Sequence, residues 1–307
     1  KTTTRLLEWV ECFISGASER QQNNGRTIGK RTIDHYRVTQ RKLTDFIRGM
    51  GKKDIPLADV DADFYQRFVA HMQKQGYAHN TIGREIKTIK IFINALDNDR
   101  KQLVDISKLR VMKEEVDNIY LNEDELQLIH DAELPRHLDR VRDCFLLLAW
   151  TGCRYSDLQQ IDKTNIKGEV LTFRQHKTNN RVAITIHPVV REIFEKYDYE
   201  LPNEISNQKF NEYIKDVARL SGITTTETKT RTEGGRLTTT RSEKWQLVTS
   251  HTGRGPLATN MYKRGLPSIM IMSITGHKTE SAFLKYIKVR QEEHAEMMAD
   301  IWRKIYE

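Results

Sequence analysis

Three short stretches hold the side chains best suited to chemistry. Ser273 to Val289 reads Ser-Ile-Thr-Gly-His-Lys-Thr-Glu-Ser-Ala-Phe-Leu-Lys-Tyr-Ile-Lys-Val and carries His277 and, nine residues later, Tyr286. Ser250 to Asn260 carries His251 and Arg254, and Ala149 to Leu158 carries Arg154 and Asp157. A tyrosine phenolate can attack a phosphodiester and keep the phosphate as an ester, so a DNA strand opens without loss of the bond energy. The non-bridging oxygens of such a phosphate suit planar guanidiniums, which hold them through paired hydrogen bonds. Two arginines with a helper are thus the inventory such a reaction calls for.

Those residues need elements to hold them. Gly276 is placed to end the apolar helix Ile269 to Ile274, since a residue without Cβ turns readily into a left-handed cap. Thr279 can cap a new short helix, on which Ala282, Phe283 and Ile287 form an apolar stripe and Tyr286 takes another azimuth. A phenol and an imidazole can then share one cleft. Upstream, Leu138 to Trp150, apolar at all but four positions, reads as a buried central helix stopped by Gly152. Arg154 follows that turn, and Asp157 is placed to orient its guanidinium. His251 and Arg254, three residues apart, share a face if the segment is helical.

In chain order, Thr-Gly-x-Arg-x-Ser-Asp-Leu at 151–158, His-x-x-Arg at 251–254, Gly-His-Lys at 276–278 and Tyr286 resemble the tyrosine recombinase (phage integrase) family. The likeness covers roughly Leu121 to Val289, and the joint pattern is far more specific than any part. It implies that Arg154 and Arg254 are the clamp arginines, that His251 and His277 assist, and that Tyr286 is the nucleophile. It also places at Lys177, between two strands, the lysine that gives a proton to the leaving 5′ oxygen; Lys163 and Lys167 are nearby alternatives. The implied fold is mainly α with a small antiparallel β-sheet (α+β), in two domains. The implied function is an integrase of a mobile element that cleaves and rejoins DNA through a 3′-phosphotyrosine. Its partners would be double-stranded DNA, other protomers in a tetrameric synaptic complex and accessory DNA-bending proteins. Type IB topoisomerase-like relaxation and a DNA-binding protein with impaired catalysis are the alternatives. Support for the last comes from Gly255-Pro256-Leu257, where the family carries other residues: Pro256 suits a first helical turn and is costly deeper in.

With 307 residues the chain is expected to form two domains. Net charge is +8, of which residues 1–118 carry +6, which points to a polyanionic partner. Cys12, Cys144 and Cys153 have neither metal-ligand nor CxxC spacing, so no disulfide framework is expected and the compartment reads as cytoplasmic, in company with the nucleoid. No membrane span and no signal peptide are visible. His251 and His277 have no carboxylate or Cys suitably placed beside them, and neither metal nor cofactor is expected. Because Lys1 stands where Met would open a chain, a piece lacking its extreme N-terminus is expected.

Helical spacing of apolar residues recurs around 6–14, 33–47, 64–72 and 82–96, giving a four-helix DNA-binding domain over 1–100. Asp61 and Asn80 are the expected caps of its third and fourth helices. On the fourth, Arg84, Lys87 and Lys90 face away from the isoleucines, with His79, Asn80 and Thr81 at the entry. A basic face beside free backbone N–H groups suits phosphate, and these six residues are the DNA-binding candidates. Charge-rich 101–118 reads as a linker, and 119–307 as the catalytic domain. Within it, 170–174 and 182–186 alternate as two strands, Thr-rich 224–244 is a hairpin or a loop, and 291–306 is an amphipathic terminal helix.

Overall fold

This computed structural model describes residues 4–21, 25, 27–116, 119–176, 179–201, 205–277, 279–284, 286–287, 289 and 291–306. The chain divides into two compact units, Lys1–Val116 with Lys229–Thr240, and Asp117–Thr228 with Arg241–Glu307.

The first unit is built on α1 (Leu6–Ser15), α2 (Lys30–Gly49), α3 (Ala62–Lys74) and α4 (His79–Asn94), followed by the single turn α5 (Asn98–Lys101). Each long helix buries a stripe at three- and four-residue spacing, such as Leu6, Val10, Phe13 and Ile14 on α1. Phe13, Tyr36 and Phe92 meet edge-to-face at the centre, with ring centroids 5.2 to 5.6 Å apart. Asp61 caps α3 as expected, its carboxylate accepting the Phe64 N–H at 2.9 Å.

Asn80 does not cap α4. The helix starts at His79 with Ala78 before it, and the Asn80 amide instead pairs both ways with the Glu114 backbone, at 2.9 Å each. A passing peptide unit offers donor and acceptor together, so it satisfies both ends of the amide where a helix terminus satisfies one. That peptide belongs to the segment read as a linker. Val104 and Leu109 are buried in the core of the first unit, and residues as far as Val116 belong to that unit. Two apolar anchors among many charges are too sparse to make a periodic signal.

In the second unit, α6 (Glu123–Asp131) opens with the expected capping box, Asn122 accepting the Glu125 N–H at 2.8 Å while Glu125 accepts that of Asn122 at 2.9 Å. The buried centre is α7 (Arg136–Thr151), whose Phe145 to Ala149 are all buried. After the turn α8 (Tyr155–Leu158), strands β1 (Ile166–Lys167), β2 (Val170–Arg174) and β3 (Arg181–Thr185) form an antiparallel sheet. Leu171 faces Ile184 and Phe173 faces Val182 on its buried side. Two residues in β1 are too few to alternate, which hid it from the sequence. Helices α9 (Pro188–Lys196) and α10 (Asn207–Leu220) pack on α7.

Thr-rich 224–244 is a hairpin, β4 (Thr226–Glu233) and β5 (Arg236–Glu243), turning at Gly234 and Gly235. Its outer part belongs to the first unit, where Thr232 bonds the Glu114 carboxylate through its N–H at 3.0 Å and its hydroxyl at 2.9 Å. The second unit is completed by α11 (Lys244–Leu247), α12 (Gly255–Lys263), α13 (Ser268–Thr275), α14 (Glu280–Leu284) and α15 (Gln291–Tyr306). Ala258, Ile271 and Phe283 form a satellite core beneath these helices. Among the described residues no helix is long and apolar enough to cross a membrane.

Candidate active site

The site is assembled at helix ends. At Gly152, φ of +62° caps α7 in the left-handed region, and a Cβ there would lie 2.9 Å from Leu257 Cδ2. The chain therefore turns tightly under α12 and delivers Arg154 to the start of α8. Asp157, 1% exposed, accepts the Arg154 N–H at 3.3 Å and stands 3.6 Å from its Nη1. Its other oxygen accepts the His176 N–H at 2.9 Å. Asp157 thus stands against the arginine and also holds the entry to the loop between β2 and β3.

His251 and Arg254 lie on one 3₁₀ turn, the Arg254 N–H bonding the His251 carbonyl at 3.1 Å. That turn runs directly into α12, with Gly255 and Pro256 in the first helical turn and both buried. Proline is tolerated there because the N–H it lacks has no intrahelical acceptor. The guanidinium of Arg254 is 4% exposed and donates from Nη2 to the Thr275 carbonyl at 3.5 Å. Arg254 Nε and Arg154 Nη1 are buried with no hydrogen-bond partner.

Gly276, at φ +73°, caps α13 and presents His277, as its position in the sequence implies. The short helix ends earlier than expected, at Leu284, so Tyr286 sits on the following turn. Two bonds fix that turn: the Tyr286 N–H to the Phe283 carbonyl at 2.8 Å, and the Thr259 hydroxyl to the Tyr286 carbonyl at 2.7 Å. The phenol ring lies with its centroid 4.8 Å from that of His277, 5.8 Å from that of His251 and 5.4 Å from the Arg254 guanidinium carbon. Five of the six residues expected to do chemistry therefore share one electrostatic neighbourhood. Lys177 lies outside the described residues.

The neighbourhood disfavours additional positive charge. Burial, then Arg254 and Arg154, hold His251 below the ordinary imidazole range, and the same causes push His277 down to about 4. Burial followed by repulsion from Arg154 also lowers Arg254 from its usual value. Both imidazoles are thus neutral near pH 7, beside two cations that lack a full set of partners. An incoming dianionic or anionic oxygen group would satisfy those donors. Among the described residues no group of three or more His, Cys, Asp or Glu could hold a metal ion.

Sequence reasoning missed the residues that hold the frame. Gln175, 1% exposed, donates from Nε2 to the Thr275 carbonyl at 3.1 Å, and Asn180 donates to the Gly276 carbonyl at 3.4 Å. The β2–β3 loop is so tied at both ends to the turn that carries His277. Gln175 continues the inward parity of Leu171 and Phe173, and a polar residue at a core position is a signal that could have found it. Thr275 and Thr259 carry no such signal.

The six DNA-binding candidates all lie on α4 in the first unit, between His79 and Lys90. Arg84 and Lys87 are exposed. Lys90 is half-buried and donates to the Leu109 carbonyl at 3.1 Å, while Asn80 is engaged with Glu114 as described. His79 and Thr81 are partly buried at the helix start.

Comparison with known proteins is consistent along the chain. Residues 12–99 match the phage integrase SAM-like domain and residues 119–293 match the phage integrase family. A tyrosine recombinase XerC from Roseiflexus sp. (strain RS-1) is 24% identical over 193 residues, which are 58% of this chain and 56% of that protein. The chain thus spans little more than half the length of this curated relative. Among solved structures, a lambda integrase tetramer bound to a Holliday junction superposes with a TM-score of 0.68 at 17% identity, over 94% of this chain and 78% of the other. A XerH site-specific recombinase bound to its palindromic difH substrate gives 0.67 at 12% identity, over 97% and 94%. The integrase of the Tn1549 transposon, in complex with a circular intermediate DNA, gives 0.66 at 12% identity, over 96% and 99%.

Proposed function

The chain belongs to the phage integrase family, and from that premise we propose that it is a site-specific DNA recombinase that cuts and rejoins strands through a 3′-phosphotyrosine at Tyr286. One observation carries the reading: buried guanidinium nitrogens without a hydrogen bond stand beside a phenol and two neutral imidazoles. Leaving such donors unsatisfied costs about 1–3 kcal/mol each, a cost that a bound phosphate removes.

In this mechanism Arg154 and Arg254 take the non-bridging oxygens of the scissile phosphate and stabilise the charge that builds there. The Tyr286 oxygen, attacking as the phenolate, bonds to phosphorus, the bond to the 5′ oxygen breaks, and Lys177 supplies the proton that oxygen needs. Rejoining is the reverse, with another strand's 5′ hydroxyl as nucleophile. Integration and excision of a mobile element, in a tetramer of protomers on DNA with accessory bending proteins and beside the nucleoid, is the setting that goes with this chemistry. The likeness to an integrase of a transposon and to a tetramer on a Holliday junction supports it.

The rival reading, a binding protein with impaired catalysis, drew on Gly255-Pro256-Leu257. Pro256 in a first helical turn and Leu257 packed under Gly152 favour the catalytic reading, since the segment forms its helix without strain at these positions. The test is a nicked suicide duplex carrying the element's own end, incubated with the protein and run on a denaturing gel. A covalent adduct is expected; its absence would sink the proposal.

A further inference from the structure

A cavity of about 480 Å³ opens in the second unit where α7, α8 and α10 meet. Sites for small organic molecules run from about 300 to 1,000 Å³, so the space suits one such molecule and is too small for a duplex. Its walls are apolar and aromatic. Leu158 and Phe210 are buried, and the rings of Tyr155 and Tyr213 lie beside them. Tyr155 is fixed in place: its ring centroid is 4.6 Å from that of Phe210, and its hydroxyl donates to the Ile205 carbonyl at 2.8 Å. The wall is thus formed before any ligand arrives. None of the residues assigned to the phosphate or to the strand chemistry lines this space.

Charge decides what the cavity takes. Arg140 and Lys209 are among the lining residues and both are exposed, whereas no Asp or Glu lines it. The acids next to Arg140 on α7 are committed elsewhere, Asp139 and Asp143 each pairing with Arg142 and Lys196. Among the described residues neither Arg140 nor Lys209 forms a salt bridge. Lys209 stands in the first turn of α10, where the helix dipole disfavours a cation, and its Nζ rests 5.5 Å from the centre of the Tyr213 ring instead of on a carboxylate. An anion held here would relieve both cations at once.

We propose that this cavity binds a small aromatic anion, its ring against Tyr155 and Phe210 and its acid group met by Arg140 and Lys209. Fixed aromatic walls favour a flat ring in offset or edge-on contact, and the two cations reject a neutral ligand of the same shape less than they reward a charged one. The site also borders the residues described above. Tyr155 and Leu158 are the ends of α8, the helix that holds Asp157 and has Arg154 as its N-cap. An occupant therefore rests on the short element that delivers Arg154.

The experiment reads binding alone, so its outcome is separate from that of the recombinase proposal. The whole chain is titrated with 8-anilinonaphthalene-1-sulfonate, whose fluorescence rises in apolar surroundings, and with N-phenyl-1-naphthylamine, which has the same rings and no acid. The sulfonate is expected to saturate at one dye per chain and to bind more tightly than the neutral amine. R140Q and K209Q together are expected to weaken the sulfonate about tenfold, on the scale of two exposed charge pairs, and to leave the amine unchanged. K87Q, on α4 of the first unit, should alter neither. Equal affinity for the two dyes would overturn the proposal, as would a sulfonate affinity that K87Q lowers as much as the double variant. Dye uptake that falls as chain concentration rises would give the cavity to a second copy and overturn it too. If the double variant melts early, the two dyes on the unchanged protein decide.

Discussion

In the second unit the buried Arg254, against a phenol, and the half-buried Arg154 each keep a buried guanidinium nitrogen without a hydrogen bond, whereas on α4 the cationic and amide groups are either open to solvent or already bonded to their own chain. The physical meaning of the two arrangements differs. A buried donor without an acceptor costs free energy and persists only where folding elsewhere holds it, so it marks a place prepared for a ligand. An exposed lysine costs almost nothing, so its presence constrains little. Residue type gives the same reading for both regions, and only burial with partner accounting separates them.

The largest effect expected is at Tyr286. Tyr286→Phe keeps the ring that packs beside Ile287 and the His277 face, so duplex binding should persist while the covalent adduct disappears. Strand joining at the normal rate by this variant would refute the assignment. Next come Arg154→Ala and Arg254→Ala. Each should slow cleavage by roughly 3–4 kcal/mol of transition-state stabilisation, on the scale of other preorganised donors, with little change in binding. Equal losses in ground-state affinity and in rate would turn both into phosphate anchors and erase the contrast with α4.

How much of this was legible depends on the kind of signal. The central helix and its glycine stop, the capping box at Asn122 and the sheet parity were all readable, because each rests on local periodicity or on a turn that one residue type satisfies; the arginine, histidine and tyrosine candidates stand out only through their joint resemblance to a family pattern. Asn80 was not, since its partner Glu114 lies far along the chain and no local pattern announces a passing peptide. Thr275 was equally silent: a threonine in an apolar helix looks like filler until His277 Nδ1 is found 2.7 Å away. Leu284 as the end of the short helix was missed because the apolar stripe continues to Ile287 after the hydrogen bonding has changed.

The terminal helix stands between the two cases. Its start is tied down by Glu293 to Lys263 at 2.8 Å and to Tyr120 at 3.3 Å, yet Met298, Ile301, Trp302 and Ile305 are about half exposed or more. An apolar stripe of this size is a liability unless a surface covers it, and a neighbouring protomer on DNA would do so. Deleting residues 292–307 should leave a folded protein that binds a single site with near-normal affinity but loses cooperative assembly and recombination. Unfolding of the second unit on deletion would show that the helix is needed at home and would end the docking idea.

The smallest effect expected is in salt dependence, and it bears directly on α4. Each phosphate that a cation neutralises releases counterions, so log affinity against log salt should lose about 0.9 of slope for every contact removed. Arg84 and Lys87 are exposed at three-residue spacing on one face, and Arg84→Ala and Lys87→Ala should each make the slope shallower by that amount if this face meets duplex. Lys90 should behave differently. Its ammonium is already committed to the Leu109 carbonyl, where it helps hold the 104–116 segment against the helix, so Lys90→Ala should change the slope less and the melting of the first unit more. Asn80→Ala should do the same, by loosening Glu114. Three equal slope changes would mean that Lys90 leaves Leu109 to reach DNA, and an unchanged slope in all three would assign the face to solvent.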